Sequence, residues 1–314
     1  MPRSFRNSLF CLTMFFAIGC AAMAQQIYFS SEPGENISSL DWSTGEVQLL
    51  LNTATLAGKL DSLILNSRGQ MIYSASNAGQ VWLYDPTTGS NTLLVGGLYN
   101  PRDLAIEPGG ATMLIANYGR GQILRYNFSS GTVTILAKKL GTVDGIAYDP
   151  NGDLFAVAGR NQVCQFDPVA GTKIKCIVLE PKYRVNGGDG MVYDFYSGQL
   201  WVSHVGTEGN GLIEIPTDLS TQTWFQTGKI PVPDGIVSDG EGNLFIGAAL
   251  QSIVEYNIPT DTIVKTVKAK GVDDLVLVPG TFASVTAPQP TRAAWTMLSA
   301  PQALLPAPPL DAKP

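Results

Sequence analysis

Six aspartates recur along this 314-residue chain, each at the entry to a short apolar segment: Asp61 in LDSLIL, Asp103 in RDLAIE, Asp144 in VDGIAY, Asp189 in GDGMVY, Asp234 in PDGIVS and Asp273 in VDDLVL. Carboxylates brought together repel. Three remedies exist: a hard cation held by oxygen ligands, protonation of some members, or hydrogen bonds from nearby backbone N–H groups. Asp144, Asp189 and Asp234 stand apart because glycine follows each one (Gly145, Gly190 and Gly235). A missing side chain there would let a ligand or ion approach the backbone. These three are the candidate metal ligands, with calcium as the expected divalent cation.

His204 is the sole histidine. It can titrate near neutrality, act as a base or ligate a metal, so it joins Asp234 as a candidate catalytic group. Asn117, Tyr118, Arg160 and Glu32 are candidate ligand-binding residues, with Arg120, Glu208 and Asn210 nearby in sequence. Each of these side chains also has a purely structural reading, as a turn cap, a rim hydrogen bond or a solvated loop. There is no Ser-His-Asp order, phosphate-cradling loop or Cys-His metal spacing.

The elements that would position these groups follow from the spacing. The six Asp are separated by 42, 41, 45, 45 and 39 residues, a period that matches one four-stranded propeller blade. After each of the first five Asp strands comes a second strand, such as GQMIYSAS or GNLFIGAA. A third strand then closes through a hairpin of common design: Tyr84-Asp-Pro-Thr-Thr-Gly89, Tyr126 to Gly131, Phe166 to Gly171 and Tyr256 to Asp261. The sixth Asp strand, Val272 to Val278, has no companions behind it. Ile27–Ser31, Ile37–Trp42 and Glu46–Leu51 therefore supply them from the other end, closing the ring and removing exposed edges. The fold class is an all-β, six-bladed β-propeller of four-stranded antiparallel blades. The innermost strands would set the Asp residues around one mouth of the central channel. The second strands end in the column Ser31, Ala75, Asn117, Ala158, His204 and Ala248, mostly small and hence roomy.

Composition bounds the rest. Arg3 and Arg6, an apolar run from Leu9 to Ile18 and Ala22-Met23-Ala24 read as a signal peptide over 1–24, too short for a membrane span. The expected location is secreted or periplasmic. Gly19-Cys20 offers a weaker lipoprotein reading. Loss of the leader, with its two Arg and no acid, takes the net charge from −6 to −8. An acidic chain without a basic stripe excludes nucleic acid as a partner. Cys164 and Cys176 flank one hairpin of the mature chain and form a candidate disulfide. The propeller spans 25–281, and 282–314 is a Pro/Ala-rich tail expected to be disordered.

PDGIVSDGEGNLFIGA (233–248) resembles the motif of the regucalcin, senescence marker protein and gluconolactonase-like propellers. VDGIAYDPNGDLFAVAG (143–159) and PRDLAIEPGGATMLIANYG (101–119) resemble NHL-repeat and virginiamycin-B-lyase-type blades. The first resemblance implies a divalent cation, often calcium, held by a Glu, two Asn and the Asp of the P-D-G motif beside lactone-opening chemistry. Asp234 matches that Asp. The Gly-Glu-Gly-Pro segment carrying the Glu is absent, and Asp144-Gly145 or Asp189-Gly190 replaces Asn-Gly. The lyase-like family uses more than one histidine, and this chain has His204 alone. The resulting reading is a secreted, monomeric propeller that binds a small ligand, cation or protein partner at its Asp-lined mouth. The alternative is a cation-dependent lactonase.

Overall fold

The computed structural model describes residues 25–279 except 33–34, 56–57, 160, 180–189, 207–208, 226–229 and 249–250. The proposed leader and tail lie outside the described residues. Twenty-four strands form six four-stranded antiparallel sheets. The innermost strands, A, of blades 1 to 6 are Leu60–Leu65, Pro101–Ile106, Val143–Tyr148, Met191–Asp194, Pro233–Ser238 and Val272–Leu277. The B strands are Met71–Ala75, Thr112–Asn117, Leu154–Ala158, Gln199–Gly206, Asn243–Ala248 and, for blade 6, Gln26–Ser31. C and D follow by hairpins. In blade 6 the two ends of the described chain meet, with Ile27 opposite Leu277, Phe29 opposite Leu275 and Ser31 opposite Val272. The one-plus-three closure expected from the repeat is therefore the observed one.

B strands are buried on both faces, which is why they read as continuous apolar runs. Alternate residues serve alternate interfaces: Met71, Tyr73 and Ala75 pack toward blade 6, whereas Ile72 packs toward blade 2. Six apolar clusters result, one at each blade junction, and the junction between blades 5 and 6 joins Phe245 and Ile253 to Ile27, Phe29 and Trp42. D strands form the rim and expose Leu49, Ile135, Ile174 and Val264. Lys173 and Lys175 in blade 3, with Lys265 and Lys268 in blade 5, guard such edges against pairing with another chain.

The hairpin signature works as its chemistry requires. Asp41, Asp85, Asn127 and Asp167 each accept backbone N–H bonds two and three residues on, for example Val169 N and Ala170 N on Asp167 Oδ1, both 2.8 Å. Gly171 closes its turn at φ +68°, and a Cβ there would lie 1.9 Å from Leu136 O of the preceding blade. Any side chain at that position would clash with backbone.

Cys164 and Cys176 face each other across strands C and D of blade 3 and are joined by a disulfide, with Cα atoms 4.0 Å apart. The closed loop is short, so replacing both cysteines by alanine is expected to cost about 2–3 kcal/mol. Urea unfolding of the oxidised parent and the double variant checks this. Equal midpoints would show that the bridge contributes nothing.

Candidate functional site

Every described mouth-side A–B junction carries the same irregularity. In blade 1 Leu60 pairs with Ala75 and Leu63 with Tyr73, so Asp61 and Ser62 together oppose Ser74. The same two-against-one bulge occurs at Pro101/Leu104, Val143/Ile146, Pro233/Ile236 and Val272/Leu275. A bulge re-aims side chains, and this one creates two columns around the channel mouth. The first bulge position holds Asp61, Arg102, Asp144, Asp234 and Asp273. The second holds Ser62, Asp103, Gly145, Gly235 and Asp274.

This register corrects the Asp ring. Asp103 is not the blade-2 counterpart of the other aspartates; Arg102 is, and Asp103 stands with Asp274 one residue further on. Arg102 places a cation inside the acidic column. Its Nη1 lies 3.2 Å from Asp144 Oδ2 and its Nε 4.0 Å from Asp61 Oδ2, while the guanidinium stacks 4.1 Å from the Tyr118 ring centroid.

The second column is a set of interblade clasps. Asp274 Oδ2 accepts Leu63 N of blade 1 at 2.8 Å, Leu104 N of blade 2 donates to Ser62 Oγ at 3.2 Å, and Asp103 Oδ2 accepts Ile146 N of blade 3 at 2.5 Å. Asp103 and Asp274 also accept the N–H of their own next residue, at 2.8 Å each. At Gly235 of blade 5, and at Gly190 beside strand A of blade 4, the neighbouring strand occupies the space a side chain would need. A Cβ on Gly235 would lie 2.3 Å from Asp274 Oδ1, and one on Gly190 would lie 2.9 Å from Ile236 N. Glycine at these two positions therefore allows close approach of the next blade, and both Gly190 and Gly235 also line the mouth cavity.

The carboxylates converge on a cavity of about 30 Å³ lined by Asp61, Asp103, Asp144, Asp234 and Asp274, enough for a water or an ion. Burial raises the pKa of Asp61 against the pull of Arg102 and Lys59. Burial pushes Asp103 up to about 7 despite its backbone N–H bonds. Burial and the nearby Asp61 charge push Asp234 up to about 6, and burial lifts Asp273 and Asp274 well above the ordinary value.

The other sequence candidates are dispersed. His204 is fully buried in blade 4, with its ring centroid 5.9 Å from that of Trp224. The B-end column faces the blade interfaces: Ala75, Ala158 and Ala248 are buried there with it. Asn117 is also buried, and it holds the loop before strand A, its Oδ1 accepting Tyr99 N at 2.7 Å and its Nδ2 donating to Gln122 Oε1 at 3.1 Å. Glu32 pairs with Lys59 at 2.7 Å. Asp189, Arg160 and Glu208 lie outside the described residues. Asp144 and Asp234 do share the cavity, but among the described residues no group of three His, Cys, Asp or Glu side chains is arranged to hold a metal ion.

Two features escaped the sequence reading. One is Arg102, which aligning Pro101-Arg102-Asp103 on Pro233-Asp234-Gly235 would have found. The other is Tyr99, 59% exposed, with Arg120 stacked 5.2 Å from its ring centroid. No short pattern marks it.

No protein-family model matches the sequence, and no curated protein does. Solved structures do. A chain from a nidogen/laminin complex is similar at 14% identity and a TM-score of 0.69, over 81% of this chain and 98% of that one. Hydrazine synthase from Kuenenia stuttgartiensis is similar at 15% identity and 0.64, covering 79% and 85%. Virginiamycin B lyase from Staphylococcus aureus is similar at 15% identity and 0.57, covering 78% and 84%. At these identities the shared property is the fold. The chain is a six-bladed β-propeller.

Proposed function

We propose that this chain is an exported, monomeric binding propeller whose recognition surface is the channel-mouth face. What carries this reading is how the acidic mouth is used. Asp103 and Asp274 are spent on interblade clasps, Asp61 and Asp144 flank Arg102, and the space they enclose is about 30 Å³. That space is the size of a water or an ion, and His204, fully buried, is not among the residues that line it. Around the mouth, by contrast, two arginines are stacked on tyrosines, Arg102 on Tyr118 and Arg120 on Tyr99. Arg and Tyr are the residue types that dominate binding energy at interfaces. A nidogen/laminin complex among the structural neighbours supports a binding role, and the leader-like residues 1–24 with the Cys164–Cys176 bridge support export.

The second reading, a cation-dependent lactonase, draws on the convergence of Asp61, Asp144 and Asp234 at one cavity and on Asp273 Oδ2, which has no hydrogen-bond partner among the described residues. One experiment separates the two. The mature protein is assayed on γ- and δ-lactones with Ca²⁺, Mg²⁺, Mn²⁺ or Zn²⁺, alongside thermal unfolding with each ion. The binding reading expects hydrolysis no faster than the protein-free rate. Cation-dependent turnover that Asp234→Asn abolishes would replace it with the lactonase.

A further inference from the structure

Beside the mouth, between blades 1 and 2, lies a pocket of about 300 Å³ lined by Ser76, Asn77, Gly79, Leu98, Tyr99 and Asn100. Its wall is rigid. Asn117 Oδ1 accepts Tyr99 N, Gly119 N donates to Tyr99 O at 2.9 Å, and Tyr118 N donates to Asn100 O at 3.2 Å. Asn100 is held at φ 55°, and a Cβ on Gly119 would lie 2.7 Å from Tyr99 Cδ1. A left-handed non-glycine residue and an obligatory glycine together fix a loop whose main product is an exposed tyrosine ring. Strain of this kind persists only where surrounding structure imposes it and gathers at ligand clamps.

The polar groups around that ring are uncommitted. Among the described residues no carboxylate pairs with Arg120, and the Asn77 and Asn100 amides have no hydrogen-bond partner. Arg120 is not part of the pocket lining itself; its guanidinium reaches the pocket through its stack on Tyr99, which does line it. A stacked guanidinium is oriented to grip a carboxylate through two parallel N–H bonds. Two free amides, each both donor and acceptor, suit vicinal hydroxyls. An exposed ring suits the flat C–H face of a saturated six-membered ring. The volume accommodates one such ring.

We infer that this pocket is a binding site for an acidic sugar of hexuronate size, with Arg120 on the carboxylate, Tyr99 against the ring face, and Asn77 and Asn100 on the hydroxyls. The inference rests on the binding reading above and specifies its ligand class.

Sodium D-glucuronate, D-glucose, sodium acetate and the dipeptide Gly-Glu are titrated separately into the mature protein by calorimetry or ligand-observed NMR. Glucuronate is expected to saturate and to bind at least tenfold more tightly than the other three. Arg120→Gln and Tyr99→Ala should each weaken it at least tenfold with the melting temperature unchanged, because both side chains are exposed. Equal affinity for glucose overturns the acid specificity. Equal affinity for acetate or Gly-Glu overturns the sugar, with the latter pointing to a protein partner. Absence of saturable binding, or no effect of Arg120→Gln, overturns the site. Lactone turnover would instead overturn the binding reading, so the two failures are distinct.

Discussion

Deleting Val272–Val278 is expected to abolish the folded state, whereas removing residues 287–314 is expected to leave the melting temperature unchanged. The deleted strand is the innermost strand of blade 6 and the sole pairing partner of Gln26–Ser31 on that side. It carries Val272, Leu275 and Leu277, each at most 3% exposed. At about 1.5–3 kcal/mol per fully buried aliphatic side chain, those three alone represent roughly 5–9 kcal/mol, comparable to the net stability of a whole domain. The loss also reaches two neighbours, because Asp274 clasps Leu63 N of blade 1 and fills the space over Gly235 of blade 5. The exposed edge of Gln26–Ser31 would then invite intermolecular pairing. Circular dichroism and light scattering of the two truncations decide the matter. A soluble, cooperatively melting protein lacking Val272–Val278 would show that the ring does not depend on its closing strand.

The architecture was readable because its causes are local and repeated. A blade needs a turn of fixed chemistry at fixed intervals, and Asp85-Pro-Thr-Thr-Gly89 or Asp167-Pro-Val-Ala-Gly171 writes that chemistry into the sequence. Ring closure was readable from one strand left over at one end and three at the other. The mouth was harder, because its geometry is set by a bulge. A bulge adds one residue to strand A without altering its apolar pattern, so whether Arg102 or Asp103 joins the acidic column depends on pairing with Ile115 and Asn117 rather than on spacing. The double acid Asp273-Asp274 hides the same ambiguity in blade 6. Glycine after Asp234 permits close approach, and Asp274 of the next blade takes up part of that space at the cavity's edge. His204 was placed in the correct column, and what spacing could not supply was the direction of that column, into the blade interface and away from the channel.

The stability of the protein is expected to fall as pH rises from about 5 to 8, the reverse of the usual carboxylate behaviour. Asp234 and Asp103 have folded pKa values raised to about 6 and about 7, above the roughly 3.9 of an unfolded aspartate. A group raised on folding contributes stability fully below its unfolded pKa, and that contribution is lost as pH climbs through the folded value. For Asp234 the shift is about two pKa units, or about 3 kcal/mol lost by pH 8. In a domain of this size that corresponds to roughly 6–12 °C in melting temperature. Other carboxylates act on a different limb. Glu107, held low by Arg125 in spite of burial, and Asp85 and Asp167, held low by side-chain and backbone bonds at their turns, contribute above their unfolded pKa and lose that contribution only as pH falls below about 4. The expected profile peaks near pH 4–5. Asp234→Asn cannot ionise and should flatten the alkaline limb. Arg102→Gln removes the cation between Asp61 and Asp144 and should steepen it. Melting temperatures of the three proteins in matched buffers from pH 4 to 8.5 test this. A parent that is most stable at pH 7–8, or an Asp234→Asn variant with the parent's slope, would mean that these carboxyls stay ionised and that the mouth neutralises them by other means.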